Sequence, residues 1–215
     1  MPSVPRPRVV LVHGAATTPA IWARLVPLLQ PYDVDVETPS RPASGDLDQE
    51  VAALAGTARD SIVVGVGGGA TLGLALLQQG VQMQATLLHE PAAGSLAPGL
   101  LDHVAAGYAA DGVAGFGRAL YGPSWTPDMA PTDPAAVGRD LRMFRRFEPE
   151  AVAALPDPAV LTVGEFSPPA RHEASAALTA ALGIRTEILA GCSHFVQWDA
   201  PAVLATAIGA LLVGT

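Results

Sequence analysis

The residues able to do chemistry gather in four short stretches, each at the end of a β-branched run. They are Val12-His13-Gly14-Ala15-Ala16, Val64-Gly65-Val66-Gly67-Gly68-Gly69-Ala70, His89-Glu90-Pro91, and Gly191-Cys192-Ser193-His194-Phe195 with Trp198 close behind. Open α/β sheets bind ligands at the carboxyl ends of their strands, so these stretches point to one site. Taken alone, the glycine run satisfies Gly-x-Gly-x-x-Ala between a strand and a helix, with Glu90 about twenty residues on, the pattern that lets a pyrophosphate approach a helix amino terminus. Two features weigh against a dinucleotide: the pattern belongs to the first βα unit of a domain, and it leaves the stretch around His194 unexplained. The histidines His13, His89, His103, His172 and His194 lack metal-ligand spacing, and His89 and Glu90, adjacent on a strand end, point in opposite directions. No metal is expected.

The elements that must position these stretches read as βα units around a mostly parallel open sheet of about six strands, with helices on both faces. Strands are expected at Arg8–Val12, Val34–Thr38, Ser61–Gly65, Ala85–His89, Ala159–Val163 and Arg185–Leu189. Helices are expected at Leu47–Ala58, Ala70–Gln79, Arg171–Ala181 and Pro201–Val213, where apolar residues recur at helical spacing. The alternation fails across residues 91–157, a stretch rich in Gly, Pro and Ala that holds Tyr108, Phe116, Tyr121, Trp125, Met129, Met143, Phe144 and Phe147. A connection that long is expected to fold into helices over the sheet's carboxyl edge, as a lid inserted in a single domain of residues 1–215.

Composition narrows the function classes. The chain of 215 residues is 50% hydrophobic, enough for one core, and its apolar runs fall short of a bilayer span. A net charge of −8 argues against nucleic acid, and the cluster Arg139, Arg142, Arg145 and Arg146 has the spacing of a solvated helix face. The single cysteine, Cys192, and an amino terminus without an apolar targeting core suit a cytoplasmic protein. No feature sets an oligomeric state.

Together, in this order and spacing, the four stretches resemble the α/β-hydrolase family, as a small esterase- or lactonase-like member. The resemblance implies that Ala15 and Gly68 supply oxyanion-hole amides, that Gly65-x-Gly67-x-Gly69 is the nucleophile elbow, and that His194 is the general base. The family pattern carries serine where this chain has Gly67, so an acyl-enzyme through that residue is impossible. The acid partner is open between Glu90 and Glu165, because the usual position after the fifth strand is Ser167. His13, Tyr121, Trp125 and Phe195 are expected against the substrate. The resemblance calls for no cofactor.

The lid aromatics and methionines imply a small, mostly apolar carbonyl substrate, and the acidic balance disfavours a highly anionic one. Three readings follow from Gly67. The chain is a serine hydrolase of esters, lactones or thioesters in an inactive, engineered or substrate-trapping form. Alternatively it is a natural cofactor-free lyase, isomerase or hydrolase that uses His194 with the oxyanion hole, or a ligand-binding pseudoenzyme.

Overall fold

A computed structural model describes residues 6–213. Six parallel strands form one sheet in the order β2-β1-β3-β4-β5-β6. They are β1 (Arg8–Val12), β2 (Asp35–Glu37), β3 (Ile62–Val66), β4 (Ala85–His89), β5 (Ala159–Gly164) and β6 (Arg185–Leu189). The helices are α1 (Val26–Leu29), α2 (Leu47–Ala58), α3 (Gly68–Gln78), α4 (Asp102–Tyr121), α5 (Pro134–Arg146), α6 (Pro169–Leu182), α7 (Val196–Asp199) and α8 (Pro201–Val213). Every residue of β3 and β4 is buried, as parallel strands covered on both faces must be. Among the described residues no helix is long and apolar enough to cross a membrane.

Among the boundaries that depart from the sequence expectation, two shape the site. Strand β3 runs one residue further, so that Val66 pairs with His89 and the chain leaves β3 and β4 side by side at Gly67 and Glu90. Helix α3 then starts at once, at Gly68 rather than Ala70. Propensity places the helix start at the first good helix former, but Gly67 (φ 56°, ψ −114°) completes the turn in one residue. The glycines also let α3 press on the sheet: a Cβ on Gly69 would overlap the carbonyl oxygen of Val12, and one on Gly65 would overlap the backbone of Gly69. The edge strand β2 is shorter than expected and mostly exposed, with neighbours on one side only.

Between β4 and β5 the chain forms α4 and α5. Helix α4 is broken at Asp111 (φ −147°, ψ 33°) and Gly112 (φ 52°, ψ −136°). Helix α5 is capped by the Asp133 carboxylate on Ala135 N and buries Val137, Leu141, Met143 and Phe144. Its opposite face exposes Arg142, Arg145 and Arg146, while Arg139 reaches back to Ala43 O and Asp133.

Candidate active site

The loop after β1 is held by its carbonyl groups. Arg41 Nη2 and Thr17 Oγ1 donate to Gly14 O at 3.2 and 3.0 Å. The Tyr121 hydroxyl donates to Ala15 O at 2.6 Å and Trp125 Nε1 to Ala16 O at 2.9 Å. In a trans peptide the N–H points opposite to the C=O, so anchoring the Gly14 carbonyl turns the Ala15 N–H the other way. The loop lies against the start of α3: a Cβ on Gly14 would stand 3.2 Å from Gly68 N, and one on Gly68 would stand 3.2 Å from Ala15 N. Gly68 N, at the first position of α3, has no acceptor within the helix. Ala15, Gly67 and Gly68 line one cavity with His194.

His194 sits in the turn after β6. Its Nδ1 is 2.8 Å from Glu90 Oε2, and its buried Nε2 has no hydrogen-bond partner. That nitrogen faces Gly67: a Cβ there would stand 2.9 Å from His194 Nε2, and apart from the chain neighbours only His194 lies within 4 Å of that point among the described residues. Tyr121 stacks on the far side of the imidazole, ring centroids 5.7 Å apart. His89 braces the turn through Nε2 on Ser193 O at 3.3 Å and Nδ1 on Thr162 Oγ1 at 3.0 Å.

Glu90 leaves β4 with φ 49°, a left-handed conformation uncommon for a residue with a side chain and one that clusters at functional sites. The turn sends its carboxylate under β5, where Gly164 N (3.0 Å) and the Ser167 hydroxyl donate to Oε1 and His194 takes Oε2. Glu165 does not reach His194; its exposed carboxylate accepts Gly191 N at 2.8 Å and fixes the turn after β6.

Burial works to raise the Glu90 carboxyl, but its hydrogen bond to His194 and the nearby charges hold it well below the usual carboxylate range. His194 is lowered, first by burial and then by the Arg171 charge, against the pull of Glu90. An ionised Glu90 accepting from Nδ1 leaves Nε2 with a free lone pair, the form a general base needs. His13 is lowered to about 3, by burial first and then by Arg41, and His89 to about 4 by burial.

The inner cavity, of about 30 Å³, is walled by Leu101, Val104, Phe116, Leu120 and Phe144 together with Ala15, Gly67, Gly68 and His194. An outer cavity of about 490 Å³ adjoins it through Leu120, Arg171 and His194. None of the four side chains expected against substrate lines either cavity. His13 is buried with Nδ1 on Gly14 O, Trp125 and Tyr121 secure the β1 loop, and Phe195 packs behind Tyr121 at 4.5 Å. Sequence reasoning missed Arg171 and the oxygen of Ser167, whose only signal was their distance of a few residues from the end of β5. It also missed the buried network in which Arg41 meets Glu50 (2.9 Å) and Asp140 (2.6 Å). No group of three or more metal-ligating side chains occurs among the described residues. The Phe144 ring lies over Gly68, where a Cβ would stand 2.5 Å from its Cε2.

Comparison with known proteins agrees with this architecture. The structure resembles a carboxylesterase from Bacillus subtilis, with TM-score 0.66 and 14% identity over 98% of this chain and 85% of that one. It resembles an enol-lactonase from Burkholderia xenovorans, with TM-score 0.67 and 17% identity over 99% and 94%. A lipase-esterase related protein from Clostridium acetobutylicum gives TM-score 0.74 and 12% identity over 95% and 93%. At such identities the likeness is one of fold. No curated protein matches the sequence. The model of the alpha/beta hydrolase family matches residues 9–207, and the chain belongs to that family.

Proposed function

We propose that the protein hydrolyses a small, mostly apolar carbonyl compound, an ester, lactone or thioester, without forming an acyl-enzyme. The observation that carries this reading is the buried, unpartnered His194 Nε2 facing the bare Cα of Gly67, with Glu90 on the other ring nitrogen. Gly67 occupies the place where the family carries its serine, and the space above it takes a water molecule instead. The substrate carbonyl lies against the Ala15 and Gly68 amides, under a lid formed by α4 and α5. His194 Nε2 removes a proton from the water as its oxygen attacks the carbonyl carbon, and the amides stabilise the resulting oxyanion. As the intermediate collapses, the imidazolium returns that proton to the departing alkoxide or thiolate, and Glu90 stays ionised throughout.

Turnover of p-nitrophenyl butyrate and δ-valerolactone, followed with intact-protein mass spectrometry, tests this. Steady hydrolysis with no acylated protein is expected, falling at least about 100-fold in His194→Ala. A covalent adduct, or activity that survives His194→Ala, overturns it. The His194 Nε2 that faces the Gly67 Cα also favours a second reading, that the site is a serine hydrolase lacking only its nucleophile. Under that reading the unaltered protein is silent, and Gly67→Ser gains turnover through an acyl-enzyme.

A further inference from the structure

Arg171, in the first turn of α6, borders the site with no role in the hydrolytic scheme. Its side chain is 6% exposed, yet it lines both the inner and the outer cavity. A guanidinium carries five N–H donors. Among the described residues the Arg171 guanidinium makes one hydrogen bond, from Nη1 to the backbone carbonyl of Glu90 at 3.3 Å. The Glu90 carboxylate lies 3.6 Å from Nε, beyond good hydrogen-bond length, and is already engaged by Gly164 N, the Ser167 hydroxyl and His194. Arg171 is therefore a buried cation held by one long ion pair to Glu90, with most of its planar fork unused, an arrangement that a ligand would complete.

The surroundings supply nothing else that does so. Glu173 borders the outer cavity but is exposed and makes no ion pair with Arg171. His103, on the same cavity, is lowered by burial first and then by the Arg171 charge. Both Arg171 Nε and His194 Nδ1 approach one atom, Glu90 Oε2, so the guanidinium and the imidazole are close neighbours.

We propose that Arg171 anchors a carboxylate carried by the substrate, so that the site takes short-chain esters, lactones or thioesters bearing one free carboxylate. The carboxylate lies in the outer cavity on the unused guanidinium donors, and a short apolar spacer leads to the reacting carbonyl over Gly67. The acidic balance of the whole chain does not oppose this, because the donors that face the cavity, not the net charge, decide whether one carboxylate is held there. The reaction named here rests on the hydrolytic reading above; the anion anchor does not.

Binding of monomethyl glutarate, dimethyl glutarate and methyl hexanoate to the full chain is compared by calorimetry at neutral pH. The monoanion is expected to bind about tenfold tighter than either neutral ester, with a preference that weakens in salt. Arg171→Gln, which keeps a donor for the Glu90 carbonyl, is expected to level the three ligands, and Arg171→Lys to retain part of the preference. Equal affinities in the unaltered protein overturn the anchor whatever the variants do. So does a preference undiminished in a folded Arg171→Gln. Hydrolysis is scored separately on the same compounds: tight binding of monomethyl glutarate without turnover supports the anchor and refutes the hydrolytic reading. Turnover of all three with equal KM refutes the anchor and leaves the hydrolytic reading standing.

Discussion

Lowering the pH from about 7 to about 5 is expected to remove about 4 kcal/mol of folding stability through two buried histidines. His13 and His89 are lowered to about 3 and about 4 from an ordinary value of 6.5. Folded, both stay neutral across this range, while in the unfolded chain both take up protons below 6.5. The unfolded state then binds more protons, so stability is full above 6.5 and falls with pH until the folded values are reached. At pH 5 each withheld proton costs about 2 kcal/mol. His194 and His103, also lowered, add to the loss, and Asp140, raised by burial, offsets part of it. Glu90 stays out of this window, because a depressed carboxylate loses its contribution only below its ordinary value of 4.5. Urea unfolding followed by tryptophan fluorescence reads the change as a midpoint lower by about 2 M, for a slope of about 2 kcal/mol per molar. Replacing His89 by Gln should remove about half of the pH dependence. A midpoint that stays flat over this range would mean that the folded protein protonates these rings, and would refute the burial argument.

Other perturbations act on the site directly. Gly69→Ala places a methyl group on the Val12 carbonyl, and a loss of more than about 4 kcal/mol is expected by calorimetric melting; a near-native melt contradicts the α3 packing. Arg41→Met leaves Glu50 and Asp140 as unpaired buried carboxylates, for about 3–5 kcal/mol in urea unfolding, whereas the triple replacement by apolar residues recovers most of it. Tyr121→Phe removes the donor to Ala15 O; stability should fall by only about 1 kcal/mol while kcat on p-nitrophenyl butyrate drops about tenfold. An unchanged kcat there argues that the Tyr121 anchor on Ala15 O does not set the β1 loop for catalysis.

The sheet was legible because its strands are local: β1, β4 and β6 coincide with their β-branched runs, and α2 and α8 with their apolar periodicity. Gly67, Glu90 and His194 were legible for a related reason, since each falls at the end of a strand or in a glycine-marked turn. What escaped the sequence depends on contacts between distant segments. Spacing left both Glu90 and Glu165 open, with Glu90 favoured, and it is the left-handed turn at Glu90 that carries its carboxylate under β5. Tyr121 and Trp125 looked like substrate contacts because they are aromatic, but their polar atoms are drawn to the Ala15 and Ala16 carbonyls more than a hundred residues away. Arg41, Glu50 and Asp140 passed unremarked, because no local pattern announces a buried ion network.

The way the β1 loop is fastened ties readiness to closure. Two of its successive carbonyls hang from Tyr121 and Trp125, and a third from Arg41, whose charge is balanced by Asp140 on α5. Lifting α4 and α5 away from the sheet would therefore do more than admit solvent. It would release the peptide planes that aim the Ala15 N–H and leave Arg41 half-compensated, so the open form would be disarmed as well as exposed. Substrate entry through the outer cavity, which reaches His194 without moving either helix, avoids that loss. A site fastened in this way would trade the breadth of ligands a swinging cover admits for amides that are always in position.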